Sequence, residues 1–525
     1  MTETKRSWLT IAAIWLTLLV LACIRPLSLP DEGRYADIGR WMLVSGDWLV
    51  PRLNGIPFFH KPPLLYWLQA EMFSAFGVSV WAARFVTAAH ALLLLVCLHL
   101  GVRKVYGELF SRRVTWVLGT SVGFLIGGQY INHDFLVATW IAVAIGFFAL
   151  SFEPADRPDA WLARLGFVAC GMGVLSKGLI GAVLPGLVIV VWLLVTGQIR
   201  QLLRWPWVTG LLLFFAVALP WMLWVQRDFP GFLDYFIIGQ HFSRFTGTHF
   251  NNVQPGWFYL PVIGIFMGPW MLVLLWDLTA SARALLKHRN TGANKADRWA
   301  VLLWVWLLVI LAFFSLTTSK LAGYILPVIV PAAVLVARSW DRLTAHRPSA
   351  KIWFYGVCSL SFALAVGGNF LARHNSLQDA SLDTTQALGC LMQSGDRVHV
   401  AGGYPYDLPF EANLQQALVV VQDWEDVRKN VSDDWRRTFV DGADFDAVAG
   451  QALQAVSTLE HTPADGKNWL VTPADYEMPF ASTPWQVVYK GQAWWLWRAG
   501  QSATAANETM ARERPGCLSA RSAQP

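Results

Sequence analysis

The feature that most limits what this chain can become is the recurrence of apolar windows about 20 residues long through most of its first 371 positions. A helix rises about 1.5 Å per residue, so a window of this length crosses a hydrocarbon core of roughly 30 Å. Backbone in lipid must satisfy its own hydrogen bonds, which favours helices for such runs. The windows predict eleven spans, at 8–27, 80–101, 114–131, 134–152, 160–175, 178–197, 207–226, 257–277, 299–316, 321–338 and 352–371. Composition agrees: 55% of the 525 residues are hydrophobic, only 14% are charged, 29 are tryptophan and the mean hydropathy is +0.41. The net charge of +6 then reflects loop residues that orient a membrane protein, and no nucleic-acid partner is expected.

Lys5 and Arg6 precede the first window, which is too long for a signal peptide and lacks a small-residue cleavage site before Arg25; an uncleaved anchor is expected. Basic residues then fall on alternate turns, at Arg103/Lys104/Arg112/Arg113, Arg157/Arg164, Arg200/Arg204, Arg283 to Arg298 and Arg338 to Lys351. The positive-inside rule assigns those turns to the cytoplasm and, with an odd number of spans, puts the C-terminal part outside. Residues 28–79 and 227–256 become long outer segments, and 132–134, 176–177 and 317–320 outer turns. Within 28–79, Tyr35, Ile38, Trp41 and Met42 recur at helical spacing while Asp37 and Arg40 take other faces, predicting a helix in the membrane interface, with a second over 64–76. Gly119, Gly123 and Gly127 make a small-xxx-small ladder suited to close helix approach.

After residue 371 the sequence turns polar, and short β-rich runs appear at 397–401, 417–421 and 469–472, with a hairpin of 485–489 and 493–497 around Lys490-Gly491-Gln492. A small α/β domain over 372–501 is expected outside the membrane, followed by a disordered tail over 502–525 rich in Ala, Ser, Arg, Glu and Gln. Cys390 and Cys517 lie in this part, and a disulfide between them or two unpaired thiols are both open.

Chemistry-bearing residues gather at the outer segments. Pro30-Asp31-Glu32-Gly33-Arg34-Tyr35 directly follows the first span; Asp31 there has a structural alternative as a helix cap. Phe59-His60-Lys61-Pro62-Pro63 fixes a histidine and a lysine on stiffened backbone. Asn132-His133-Asp134 and Ser176-Lys177-Gly178 interrupt apolar runs, where a charge is costly unless it is paired or functional. His241 and Arg244 lie in the second long segment, and Lys320 and Tyr324 open the tenth span. A single interfacial Lys or Arg is well explained by snorkelling. Six sites on one face are not. Three carboxylates, three lysines, two arginines and three histidines together suit a phosphate-bearing substrate that enters from the bilayer. No Walker loop, dinucleotide glycine fingerprint, HExxH or serine nucleophile elbow competes.

At these residues the sequence resembles the bacterial lipid-to-lipid GT-C glycosyltransferases, the group that includes the aminoarabinose transferase of lipid A and is related to protein O-mannosyltransferases. The matching stretches are DEGRYA at 31–36, SGDWLVPRLNG at 45–55, KPPLLYW at 61–67, SKGLIG at 176–181, HFSRF at 241–245, GPW at 268–270 and SKLAGYILP at 319–327. The resemblance implies a GT-C fold, a donor sugar linked through one phosphate to undecaprenol, and reaction at the periplasmic surface of the inner membrane. By family pattern Asp31 is catalytic, while Glu32, Arg34, Tyr35, Lys61, Lys177, His241, Arg244, Lys320 and Tyr324 bind substrate. The family commonly has an acid where this chain has His60. That acid and the one matching Asp134 look suited to a divalent metal in the relatives, so His60, Asp134 and His241 are a candidate zinc-type set here. The family's C-terminal spans are also fewer in this chain. The expectation is a glycosyltransferase moving a monosaccharide, with inversion, from undecaprenyl phosphate to a lipid or glycan acceptor. A protein O-mannosyltransferase, a flippase for a lipid-linked sugar and a non-catalytic scaffold remain as alternatives.

Overall fold

The computed structural model describes residues 2–153, 157–243, 252–276, 278–279, 295–344, 350–430, 434–480 and 484–500, and the backbone alone at 241–243 and 295–297. The tail expected over 502–525, with Cys517, lies outside them. The chain divides into two compact units. One holds Met1–Ile24, His60–Leu65 and Arg84–Phe370; the other holds Arg25–Phe59, Tyr66–Ala83 and Leu371–Pro525.

The first unit is helical and is that of a multi-pass membrane protein. Eight helices among the described residues are long and apolar enough to cross a bilayer: Glu3–Ala22, Val80–Tyr106, His133–Ser151, Trp207–Asp228, Tyr259–Trp276, Arg298–Ser315, Ala322–Thr344 and Ala350–Asp379. The expected count of eleven is not reached by that measure. The window at 114–131 is broken into Glu108–Thr120 and Val122–Gly127 by Ser121, whose ψ of 143° is extended. The window at 178–197 gives only the 16 residues Ile180–Val195. Ala160–Lys177 is 18 residues long, but Arg164 and Lys177 dilute it. The break at Ser121 also changes the meaning of the glycine ladder. Gly119 packs against Ile14, Gly123 against Phe266 and Gly127 against Phe135, so the three face different helices and form no single seam. The tight backbone approach is elsewhere. A Cβ on Gly173 would come within 3.0 Å of the Gly181 backbone, which draws Ala160–Lys177 against Ile180–Val195.

His133–Ser151 is apolar on every side and is the most enclosed helix of this unit together with Ala322–Thr344, each with 78% of its window buried. It starts where Asn132 accepts from the Asp134 amide at 2.7 Å, a side-chain cap that satisfies one free donor of the first turn. Ala322–Thr344 begins as a 3-10 turn over Ala322–Val328, with Pro327 inside it.

The second unit contains the helix Asp31–Ser45, a short hairpin of β1 (Arg52–Leu53) and β2 (Ile56–Pro57), and most of the helix Leu64–Phe76. Both helices expected in the first loop are present. The first differs in how its polar residues are used. Asp37 and Arg40, expected on other faces than the apolar ones, are both fully buried and paired at 2.7 Å, and Arg40 also donates to the Leu414 carbonyl. The helix is enclosed by protein, so its charged residues neutralise each other rather than reach water.

The C-terminal residues add a six-stranded sheet in the order β5 (Leu453–Gln454), β4 (Val419–Val421), β3 (Arg397–Ala401), β6 (Asn468–Pro473), β8 (Trp494–Ala499) and β7 (Trp485–Lys490). β3 to β6 pair in parallel, and the closing hairpin of β7 and β8 is antiparallel. Every expected strand is found. Asn54 in the turn of the β1–β2 hairpin takes both ends of Leu418: its carbonyl accepts from the Leu418 amide at 2.7 Å and its amide donates to the Leu418 carbonyl at 2.9 Å. Cys390 is disulfide-bonded, and Cys23, Cys97, Cys170 and Cys358 are free thiols.

Candidate active site

In the helical unit the ends of two helices bring charge together. Asp134, in the first turn of His133–Ser151, forms an ion pair with Lys177, the last residue of Ala160–Lys177. The side chains are only 6% and 10% exposed, so the two charges neutralise each other in place of water. One residue earlier on each helix, the His133 ring lies 2.6 Å from the Ser176 carbonyl through Nδ1, a second clasp beside the first. The Lys177 ammonium also sits 4.1 Å from the centre of the Tyr324 ring, a cation–π contact. Gly323 makes this approach feasible, because a Cβ there would fall on the Asp134 carboxylate. The charge of Lys61, on the stiffened turn before Pro62, reaches the same His133. Lys61, Asp134, Lys177 and Tyr324 are therefore one neighbourhood, while sequence reasoning named His133 only in passing.

His60 faces another way. Its Nε2 is 2.8 Å from the Tyr235 hydroxyl, which also receives a hydrogen bond from Gln240 at 3.1 Å. Tyr235 and Gln240 were not among the expected residues, and no pattern beyond their place in the second long segment marks them. His241 lies in the π-helical Asp234–Ser243 with its side chain outside the described residues, and Arg244 lies wholly outside them. Among the described residues no group of three or more His, Cys, Asp or Glu is placed to hold a metal ion. His60 and Asp134, the two described members of the candidate zinc set, are engaged by Tyr235 and Lys177. Lys320 also differs from expectation. It is 4% exposed and donates to the carbonyls of Gln254, at 2.9 Å, and Thr317, so it binds backbone rather than facing an open site.

In the second unit the DEGRYA residues divide by role. Glu32 is fully buried and takes a two-pronged ion pair from Arg25, with a further hydrogen bond from the Ser28 amide at 2.8 Å. It fixes the turn that leads into the helix and is not open to substrate. Asp31 opens the helix, yet the cap position is Pro30 and no side-chain cap bond forms. Its half-buried carboxylate has no hydrogen bond or ion pair among the described residues. Arg34 places its guanidinium 5.0 Å from the ring centre of Tyr406 and 6.0 Å from that of Tyr35. Burial works against its charge, but the Asp31 carboxylate and, at the high pH where they would ionise, the Tyr406 and Tyr35 phenols more than offset this, so Arg34 holds its proton more tightly than a free arginine. Arg34 Nε and the Tyr406 hydroxyl oxygen are buried and complete no hydrogen bond of good geometry among the described residues. Burial also pushes the phenols of Tyr66 and Tyr406 up, against the pull of Arg34, so both stay protonated. Tyr35 is buried with its ring 6.3 Å from Tyr66. Gly33 is required by packing, since a Cβ there would lie 2.9 Å from Tyr406 backbone. Tyr406, in the run Gly402 to Phe410 that follows β3, was missed because nothing in the first loop announces its partner.

Comparison with known proteins gives this architecture a context. A family model described as dolichyl-phosphate-mannose-protein mannosyltransferase matches residues 9–236. The crystal structure of ArnT from Cupriavidus metallidurans bound to undecaprenyl phosphate superposes with a TM-score of 0.79 at 22% identity, covering 96% of this chain and 99% of that one. The chain has the GT-C fold. Among curated proteins, an undecaprenyl phosphate-alpha-4-amino-4-deoxy-L-arabinose arabinosyl transferase of Pseudomonas savastanoi pv. phaseolicola is 32% identical over 64% of this chain and 61% of its own length. One from Sodalis glossinidius is 32% identical over 69% of this chain and 65% of its own. The match thus spans about three fifths of the curated relatives' length. The GT-C resemblance read from the loop motifs rests on the same chain that these matches cover.

Proposed function

We propose that the protein is an integral-membrane glycosyltransferase that moves a monosaccharide, of the 4-amino-4-deoxy-L-arabinose kind, from an undecaprenyl-phosphate donor to a lipid A-like acceptor. Its N terminus lies in the cytoplasm, and the reacting residues and the domain over 372–501 face the periplasm of the inner membrane. The observation that carries the reading is the identity of about a third with arabinosyl transferases over about two thirds of this chain, on a GT-C fold. The alternation of basic turns supports the orientation.

In this reading an acceptor oxygen forms the new bond to the anomeric carbon of the sugar, and the bond from that carbon to the donor phosphate breaks, its electron pair leaving on undecaprenyl phosphate. Lys177 and Lys61 neutralise the charge that grows on the leaving phosphate, and Tyr324 holds Lys177 in place. Arg34, held beside Tyr406, orients the polar headgroup through its charge. An acceptor phosphate is already anionic and needs little deprotonation. Asp31 then serves to align the attacking group and to steady positive charge at the anomeric carbon, and the transfer inverts.

The test is mass spectrometry of lipid A, surface glycans and glycoproteins from cells with and without the gene. Loss of one sugar from lipid A, restored by the wild type but not by Asp31→Asn present at equal membrane level, is the expected result. Rate loss in that variant should be about 10²–10³-fold, the usual worth of one preorganised group that stabilises transition-state charge. Full activity of Asp31→Asn removes the assignment. Loss of a hexose from a protein instead favours the protein-acceptor reading that the matched family model brings.

A further inference from the structure

The helices of the first unit form a partly open cavity of about 290 Å³ that is lined by none of the residues assigned above. It lies between Val80–Tyr106, His133–Ser151, Ala160–Lys177, Arg298–Ser315 and Ala322–Thr344, and its wall is almost wholly apolar, with Leu94, Leu150 and Val334 among its lining. Two glycines help to create it. A Cβ on Gly146 would meet nothing within 4 Å, and one on Gly101 would meet only Leu150, at 4.0 Å. Neither residue has a left-handed backbone, so no turn or close packing requires glycine at either place. Polar groups interrupt the apolar wall at Tyr106, Trp299, Trp306 and Lys104, and the Trp299 indole is taken by Glu153. Trp306 is 5% exposed, and its indole N–H has no acceptor among the described residues. Lys104 is exposed in the last turn of its helix.

We propose that this cavity is a binding site for one glycerophospholipid, an acyl chain filling it, an ester carbonyl accepting from Trp306 and the phosphate resting on Lys104. Water is a poor occupant, because a buried water needs two to four polar partners and the wall offers few. Left unfilled, a space of this size forfeits packing along its walls. The apolar chains that surround a membrane protein are acyl chains, and a lysine at the end of a span is positioned to meet a phosphate headgroup. The site is independent of the glycosyl-transfer reading.

The full-length protein, delipidated in detergent, is titrated with phosphatidylglycerol and followed by native mass spectrometry. The wild type should retain one equivalent at low lipid excess. Gly146→Leu, which fills the space, should lose that equivalent by tenfold or more in apparent affinity, and Lys104→Ala should weaken it severalfold with the fold intact. Gly186→Leu, on an exposed helix face where a Cβ also meets nothing, is the control and should bind as the wild type does. Equal retention by the wild type and Gly146→Leu, or no stoichiometric lipid on the wild type, overturns the proposal. Displacement of the retained lipid by undecaprenyl phosphate rather than phosphatidylglycerol also overturns it, by making the cavity a donor subsite. Should Gly146→Leu fail to fold, Lys104→Ala decides alone: unchanged affinity in that variant refutes the phosphate contact.

Discussion

Lys177 carries a stability role and a proposed substrate role, and the two are separable. Lys177→Met keeps the volume and removes the charge, leaving the Asp134 carboxylate at 6% exposure without its cation. Removing one partner of a buried pair costs about 3–5 kcal/mol, and the lost contact with the Tyr324 ring, at 4.1 Å, adds about 1–2 kcal/mol. Replacing both charges, in Asp134→Asn with Lys177→Met, leaves no stranded charge and should recover most of the first term, because swapping a buried ion pair for neutral groups of similar volume is often nearly neutral. Transfer should respond differently. A hydrogen bond to a charged group is worth about 1.5–3 kcal/mol, so single and double variants alike should lose roughly 10- to 150-fold in donor use. The assay is a thermal melt in detergent beside sugar transfer from an undecaprenyl-phosphate donor. A single variant as stable as the wild type refutes the pair's structural role; a double variant with full activity refutes the phosphate role.

Gly323→Ala places a methyl on the Asp134 carboxylate, so it should lower the melting temperature and transfer together, while Gly264→Ala, which meets nothing, should change neither in the same assays. Arg40→Met strands Asp37 in the second unit and removes the bond to Leu414, which should cost about 3–5 kcal/mol in a denaturation experiment. Burial already outweighs Arg40 and holds the Asp37 carboxyl above the usual range, so its protonated form favours folding. Arg40→Met should therefore lose stability as pH rises from the ordinary aspartate range through the raised one, and the added change Asp37→Asn should remove that slope. Glu32→Gln weakens a fully buried ion pair and should lower the melting temperature, with transfer falling only as the folded fraction falls. Asp31→Asn, which breaks no bond, should do the reverse.

The membrane helices were legible because span length is set by the bilayer, and the strands because β3, β4, β6 and the β7–β8 hairpin are short apolar runs between turn residues. The count of eleven spans is not confirmed. Ser121 breaks a helix without proline or glycine at the break, and its apolar neighbours conceal the interruption from any hydropathy window. The neighbourhood of Asp134, Lys177 and Tyr324 was legible for a physical reason: a charge between two apolar runs is expensive, so its position alone announces a partner. Lys320 carried the same signal and spends its charge on backbone carbonyls. Apolar context therefore reveals that a buried cation has acceptors, but not whether those acceptors belong to a substrate.

The first loop shows the complementary limit. Glu32 and Asp31 are adjacent acids with equal claim from sequence, yet one is consumed by Arg25 and the other makes no hydrogen bond or ion pair among the described residues, meeting Arg34 only through its field. Consecutive helical positions lie about 100° apart, so residues of one motif must face different surroundings. The identity of those surroundings comes from residues more than 370 positions away, since Gly33 is glycine because Tyr406 passes against it and Arg34 is flanked by the same ring. The motif is thus a packing signature as much as a chemical one. Its glycine, its buried glutamate and its buried tyrosine hold the helix start in position, which leaves Asp31 as the acid of the motif whose carboxylate makes no hydrogen bond or ion pair among the described residues.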